Sequence, residues 1–323
     1  MSVRPTVRDV WQARRRVRGV ARPTVVRRAP EVGTGVWIAD ETGQPTGSFK
    51  IRGAANALLS LSEGQRERGV VAVSTGNHGR AVAYVARELG VKATVYVSNR
   101  VPQDKLEALR RVGADVGAGG DSQDLAEDAA REQAARDGAT LVPPFDHPAV
   151  IAGQGTLGLE IIEELPDVRT ALVPLSGGGL IAGVALALKS VDPAIRVIGV
   201  SMEMGAVMHA SLRVGRVVEM PESDTLADSL QGGLGRDNAH TFDLVRDLVD
   251  EAVLVSEDAI ADAMRHAYRH HRLVLEGGGA AALAALLSGA AAVGGEAGPT
   301  VVIASGANVA ADTFARVLGG ASS

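Results

Sequence analysis

The stretch Ala171–Lys189, ALVPLSGGGLIAGVALALK, decides how the rest of the chain is read. Its apolar run Leu172–Leu175 does not alternate, as expected of a strand buried on both faces. The run breaks at Ser176-Gly177-Gly178-Gly179, and helical spacing resumes from Leu180 to Lys189. Three successive glycines let the backbone approach a ligand closely, and the helix behind them points free N–H groups at an anion. The Gly-Lys-Ser/Thr ending of a P-loop is missing, and the spacing is not GxGxxG. Two readings stay open for this loop alone: a phosphate site unlike that of nucleoside triphosphates, or tight strand–helix packing.

The same alternation extends in both directions. Val70–Val73 reads as a buried strand, followed by a helix carrying Val82, Val85, Ala86 and Leu89 that Gly90 ends. Ala93–Val97 is the next strand. Pro102 opens a helix that Gly113 closes, Ala114–Val116 returns to strand, and Val197–Val200 follows the glycine-loop helix. Strands alternating with helices predict an α/β fold with mainly parallel sheets flanked by helices. Val7–Val20 reads as an amphipathic helix. Interruptions after Lys50 and at Pro143–Pro148 predict a small α/β domain over 53–146, inserted into a larger one built from 1–52 and 147–323.

Composition removes several function classes. The 323 residues are 46% hydrophobic and 22% charged, ordinary for a folded globular chain. Cysteine is absent, which excludes disulfides, thiolate metal sites and a cysteine nucleophile. A net charge of -5 and few aromatic residues predict neither nucleic-acid nor membrane partners. The uncharged stretches Ala171–Leu188 and Gly277–Gly295 are long enough to raise the membrane question, but their Gly and Ala content reads as buried strand–loop–helix. The expected location is cytoplasmic.

Ligands of parallel sheets bind at the carboxyl ends of strands. Four segments fit that position: Thr46-Gly47-Ser48-Phe49-Lys50, Ser74-Thr75-Gly76-Asn77-His78, Ser176–Leu180 and Ser305-Gly306-Ala307-Asn308. Lysine is scarce, at four residues against 29 arginines, and Lys50 alone lies in such a segment. A cation opening a helix is electrostatically disfavoured, which lowers its pKa toward what imine formation and proton abstraction need. A snorkelling surface lysine is the plain alternative.

Together with Pro45–Ala54 and Pro148–Thr156, these segments resemble the fold type II pyridoxal-5'-phosphate (PLP) enzymes, the tryptophan synthase β-like fold, in the serine/threonine dehydratase and serine racemase branch. The resemblance covers nearly the whole chain, in family order and spacing. It implies that Lys50 carries PLP as a Schiff base, with Phe49 packed near the ring and Asn77 on the cofactor's 3'-oxygen. The N–H groups of Gly177, Gly178, Gly179 and Leu180 would hold the phosphate, Glu276 would lie near the ring, and Ser305 would face the pyridine nitrogen. Ser74, Thr75, Gly76, Asn77 and His78 would form the loop that takes the substrate carboxylate. A hydroxyl rather than a carboxylate at Ser305 leaves that nitrogen largely neutral, which favours β-elimination over transamination. Ser305 taken by itself is an equally good helix N-cap.

The implied reaction is dehydration and deamination of a small-molecule β-hydroxy amino acid, such as threonine or serine, to a 2-oxo acid and ammonia. Thr75 keeps a hydroxyl where the racemase pattern has Ser, so racemisation on the same scaffold is the alternative. Phe145-Asp146 follows the dehydratase pattern. Ser229, in Ala227–Gly235, departs from the Ala-Asp-Gly of common dehydratases and is similar to the hydroxyectoine-utilisation subgroup, implying a larger hydroxylated substrate. A non-catalytic phosphate-ligand binding protein is the reading outside enzymes. The family implies a homodimer. No metal site is expected: Glu203 stands where the racemase branch has one ligand, but His209 replaces the second acid, and His266 and His270 lack a third ligand.

Overall fold

Thr170–Pro174 is a strand whose five residues are all buried, and the glycine loop leads directly from it into the helix Gly179–Val191. The computed structural model describes residues 3–74, 76–101, 103–235, 237–292 and 298–320, apart from the side chains at 104, 123 and 124. Thr75, Pro102 and the end of the Gly277–Gly295 stretch lie outside the described residues.

Among the described residues, ten strands form two sheets: β1 Val25–Arg28, β2 Val36–Asp40, β3 Val70–Val73, β4 Ala93–Val97, β5 Asp115–Ala118, β6 Thr140–Leu141, β7 Thr170–Pro174, β8 Arg196–Met202, β9 Glu251–Val255 and β10 Thr300–Ala304. One sheet has the order β1-β2-β10-β7-β8-β9, parallel throughout except for the antiparallel pair β1–β2. The other has the order β5-β4-β3-β6 and is wholly parallel. The third expected strand of the small sheet moves from Ala114–Val116 to Asp115–Ala118, in register with β4. The first helix ends at Arg16 rather than Val20, because Gly19 at φ +85° turns the chain. Among the described residues, no helix is long and apolar enough to cross a membrane.

The central helices pack closer than side chains normally allow. A Cβ at Gly155 would stand 2.8 Å from the Gly183 carbonyl oxygen, and one at Gly158 would stand 2.9 Å from that of Val184. The helices Pro148–Glu164 and Gly179–Val191 therefore meet backbone to backbone, which explains the glycines of the Pro148–Thr156 motif. A Cβ at Gly153 would likewise lie 2.7 Å from the Cα of Gly53, so the helix Lys50–Leu59 docks on the same neighbour.

A fully buried ionic cluster fixes that docking. Arg52 donates from Nε and Nη2 to both Glu41 oxygens (2.7 and 2.7 Å), and from Nη1 and Nη2 to Glu160 (3.0 and 2.8 Å). Burial opposes the guanidinium charge, but the two carboxylates outweigh it and raise the Arg52 pKa. Glu41 directly follows β2 and Glu160 lies on the Pro148–Glu164 helix, so the Lys50 helix is held at two points.

Candidate active site

Backbone hydrogen bonds bring the Lys50 segment to the carboxyl end of β10. The Phe49 N–H donates to the Ser305 carbonyl (3.0 Å), Ala307 N–H to that of Gly47 (2.9 Å), and Glu276 N–H to that of Gly306 (3.1 Å). Gly47 at φ +72° makes the turn, where a Cβ would stand 2.7 Å from the Asn308 side-chain oxygen. Lys50 then opens its helix, and its Nζ donates to the Pro144 carbonyl (2.9 Å) and lies 5.4 Å from the centre of the Phe49 ring. Burial pushes the Lys50 pKa down to about 8 against the opposing pull of Glu276. The lowering expected from the position of Lys50 at a helix start is thus present, with burial as its cause.

Glu276 is the hub of a polar network. Its Oε1 accepts from Asn77 Nδ2 (2.7 Å) and Ser229 Oγ (2.9 Å), and its Oε2 accepts from the Asn308 N–H (3.1 Å). Burial raises the Glu276 pKa, and the Ser229 and Asn77 bonds offset part of that rise. Asn308 donates from Nδ2 to Asn77 Oδ1 (2.6 Å) and accepts from Arg80 Nη1 (3.0 Å). The Asn77 amide is thus oriented, with one N–H beyond its bond to Glu276. Asn308 lies in the Ser305–Asn308 segment, but no local pattern there marks it as the partner of Asn77 and Arg80. Ser229 stands out in the sequence as a departure, but nothing local records its bond to Glu276.

The glycine loop is squeezed from two sides. A Cβ at Gly179 would stand 2.9 Å from Phe145 Cβ, and one at Gly177 would strike the Phe145 ring. On the other side, a Cβ at Gly178 would lie 2.8 Å from Met208, 3.0 Å from Val245 and 3.1 Å from Thr241, and Gly178 itself has φ +86°. Tight packing therefore accounts for all three missing side chains. It leaves the loop's donors unused: among the described residues, the buried N–H groups of Gly177, Gly178, Gly179 and Leu180 have no acceptor.

Ser74 follows β3, and its hydroxyl accepts from the Gly76 N–H (3.2 Å). Thr75 lies outside the described residues. Asn77 and His78 begin the helix Asn77–Glu88, and both are buried. His78 Nε2 meets the Val142 carbonyl at 2.8 Å; a carbonyl only accepts, so this nitrogen carries the proton. Burial first, and then the Lys50 charge, push the His78 pKa down to about 3. His78 is therefore a neutral brace between the loop and residue 142. Among the described residues, no group of three or more His, Asp or Glu side chains is arranged to hold a metal ion. His266 and His270 instead face each other with ring centres 4.4 Å apart.

An amine of lowered proton affinity, a row of N–H donors unpartnered among the described residues, and the hydroxyl of buried Ser305, also without a partner among the described residues, gather at the carboxyl ends of the strands. These donors and the amine fit the carbonyl, phosphate and ring nitrogen of PLP. The chain belongs to the pyridoxal-phosphate dependent enzymes, whose family model matches residues 17–306. Within that class it has the fold type II architecture. It aligns over 98% of its length with 98% of maize serine racemase (TM-score 0.91, 32% identity). It aligns over 99% of its length with 97% of the processed form of threonine deaminase isoform 2 from Solanum lycopersicum (TM-score 0.90, 34% identity). L-threonine ammonia-lyase of Thermotoga maritima is 42% identical over 276 residues, which are 84% of this chain and 68% of that protein.

Proposed function

We propose that this chain is a PLP-dependent ammonia-lyase that eliminates the β-hydroxyl of an amino acid such as threonine or serine, releasing a 2-oxo acid and ammonia. The observation that carries the reading is the Lys50 amine, lowered to a pKa of about 8 and directed at the Pro144 carbonyl beside the glycine loop. Bound PLP supplies the electrophilic carbon and the ring that acidifies the substrate's α C–H. Lys50 holds the cofactor and takes the α-proton on Nζ once freed. The N–H groups of Gly177–Leu180 receive the phosphate, Ser305 faces the ring nitrogen, and Phe49, Asn77 and Glu276 border the ring. Ser74, Thr75, Gly76, Asn77 and His78 form the loop for the substrate carboxylate, His78 through its backbone. The β-hydroxyl would leave as water, taking up the equivalent of the proton removed from the α-carbon, and the enamine would hydrolyse in solution to the 2-oxo acid and ammonia.

Borohydride reduction followed by peptide mass analysis tests the attachment: cofactor mass on the Lys50 peptide is expected, and its absence defeats the reading in favour of a phosphate-ligand binding protein. The likeness to maize serine racemase supports racemisation as a second activity, which chiral analysis of remaining serine would reveal. The Ala227–Gly235 stretch, with Ser229 in place of the usual glycine, supports a larger hydroxylated substrate of the hydroxyectoine-utilisation kind; release of ammonia from such compounds tests it. The division into 1–52 with 147–323 and 53–146 is supported by strand origin, since one sheet draws only on residues 70–141. A homodimer is proposed from the family resemblance, with sedimentation as its test, and a cytoplasmic location from the reading of the apolar stretches as buried segments, with cell fractionation as its test.

A further inference from the structure

Residues 144–146 touch three parts of the site in succession. The Pro144 carbonyl accepts from Lys50 Nζ. Phe145 forms one wall of the glycine loop, against Gly177 and Gly179. Asp146 reaches across to the opposite wall: its Oδ2 accepts from the Ala239 N–H (2.6 Å), and its Oδ1 accepts from those of His240 (2.9 Å) and Thr241 (2.8 Å). Thr241 opens the helix Thr241–Leu248, and Thr241 and Val245 of that helix flank Gly178. The loop thus lies between two walls from distant parts of the sequence, and one carboxylate ties them together.

We propose that Asp146 is a positioning residue for the glycine loop. By fixing the distance between Phe145 and Thr241, it holds the N–H groups of Gly177–Leu180 at the spacing that a bound phosphate needs. Asp146 touches neither the loop nor the reacting atoms. Three N–H groups converging on a carboxylate make stronger bonds than neutral pairs and leave the strap little freedom. A looser strap would let Phe145 swing, and the donors would no longer converge. The proposal rests on the PLP reading and adds that affinity for the phosphate depends on a residue outside the loop.

The test compares PLP with pyridoxal, which has the same aldehyde and ring but no phosphate, on cofactor-free wild type and Asp146→Ala. PLP binding is expected to weaken about tenfold or more in the variant, the loss typical of hydrogen bonds to charged groups. Pyridoxal binding should change by less than about threefold, because its contacts are elsewhere. Equal losses for both ligands, or no loss for PLP, would overturn the assignment. If Asp146→Ala does not fold, Asp146→Asn gives the same comparison: it keeps one acceptor oxygen, so a smaller loss, again confined to PLP, is expected. Failure of the wild type to bind PLP at all would defeat the cofactor reading itself, a distinct result.

Discussion

Covalent capture of PLP by the cofactor-free protein should depend on pH through the single amine at Lys50. Only a neutral amine attacks a carbonyl, and burial lowers this one from 10.5 to about 8. At pH 7 about one Lys50 in ten is then neutral, against about three in ten thousand for an ordinary lysine. The capture rate, followed by the visible absorbance of the product with PLP in excess, should rise about fivefold from pH 7 to 8 and level off above about pH 9. Stability is linked with a definite sign. The folded protein binds this proton less tightly than the unfolded chain does, so the buried ammonium opposes folding below about pH 8. That opposition is relieved as the pH rises from about 8 to 10.5, by at most about 3 kcal/mol. A capture rate still climbing steeply above pH 9 would mean that Lys50 titrates normally, and the burial argument would be wrong.

Glu276→Gln removes the carboxylate that pulls the Lys50 pKa upward, so the capture midpoint should fall below that of wild type in the same assay. Ser229→Ala deletes a hydrogen bond that stabilises ionised Glu276; its carboxyl should protonate at higher pH, moving the acid limb of the kcat profile upward. Arg52→Met leaves buried Glu41 without its ionic partner, while Glu160 keeps Arg14, and should cost about 3–5 kcal/mol in denaturant unfolding. Gly183→Ala forces a Cβ onto the Ile151 carbonyl and the Gly155 nitrogen, and should lower stability by about 1–3 kcal/mol through helix displacement, read as a lower Tm.

The residues that sequence could identify are those whose chemistry is carried in a local pattern. Val70–Val73 was legible because a strand buried on both faces has no polar phase, Ala93–Val97 because its β-branched and aromatic residues follow a helix that Gly90 ends, and the observed limits of both match. The glycine loop was legible as a strand-to-helix turn for the same reason. The Glu276 hub was not, because Asn77, Ser229, Asn308 and Glu276 are gathered from four segments and no spacing records their approach. Pro144 was invisible for a different reason: it contributes a backbone carbonyl, which every residue has. The charge of Arg52 was legible, but not its burial, since a lone Arg in a helix reads as a solvated side chain until its two acids are located.

The buried ionic cluster and the glycine contacts serve the same end. An amine that must be neutral part of the time requires a poorly hydrated setting, and a poorly hydrated setting cannot by itself hold a flexible lysine in one direction. The chain separates the two tasks. Arg52, two residues beyond Lys50, anchors the helix through a buried cluster in which Arg52 and Arg14 face Glu41 and Glu160, and the raised pKa of Arg52 keeps its charge in place over the range in which Lys50 titrates. Gly53 and Gly153 then bring that helix against the Pro148–Glu164 helix, with Pro144 just upstream of the latter. The Pro144 carbonyl accepts from Lys50 without carrying a charge that would restore the amine's ordinary pKa. A carboxylate in its place would orient the amine equally well, but it would hold the proton on Nζ and oppose the attack on a carbonyl that the proposed attachment of PLP requires.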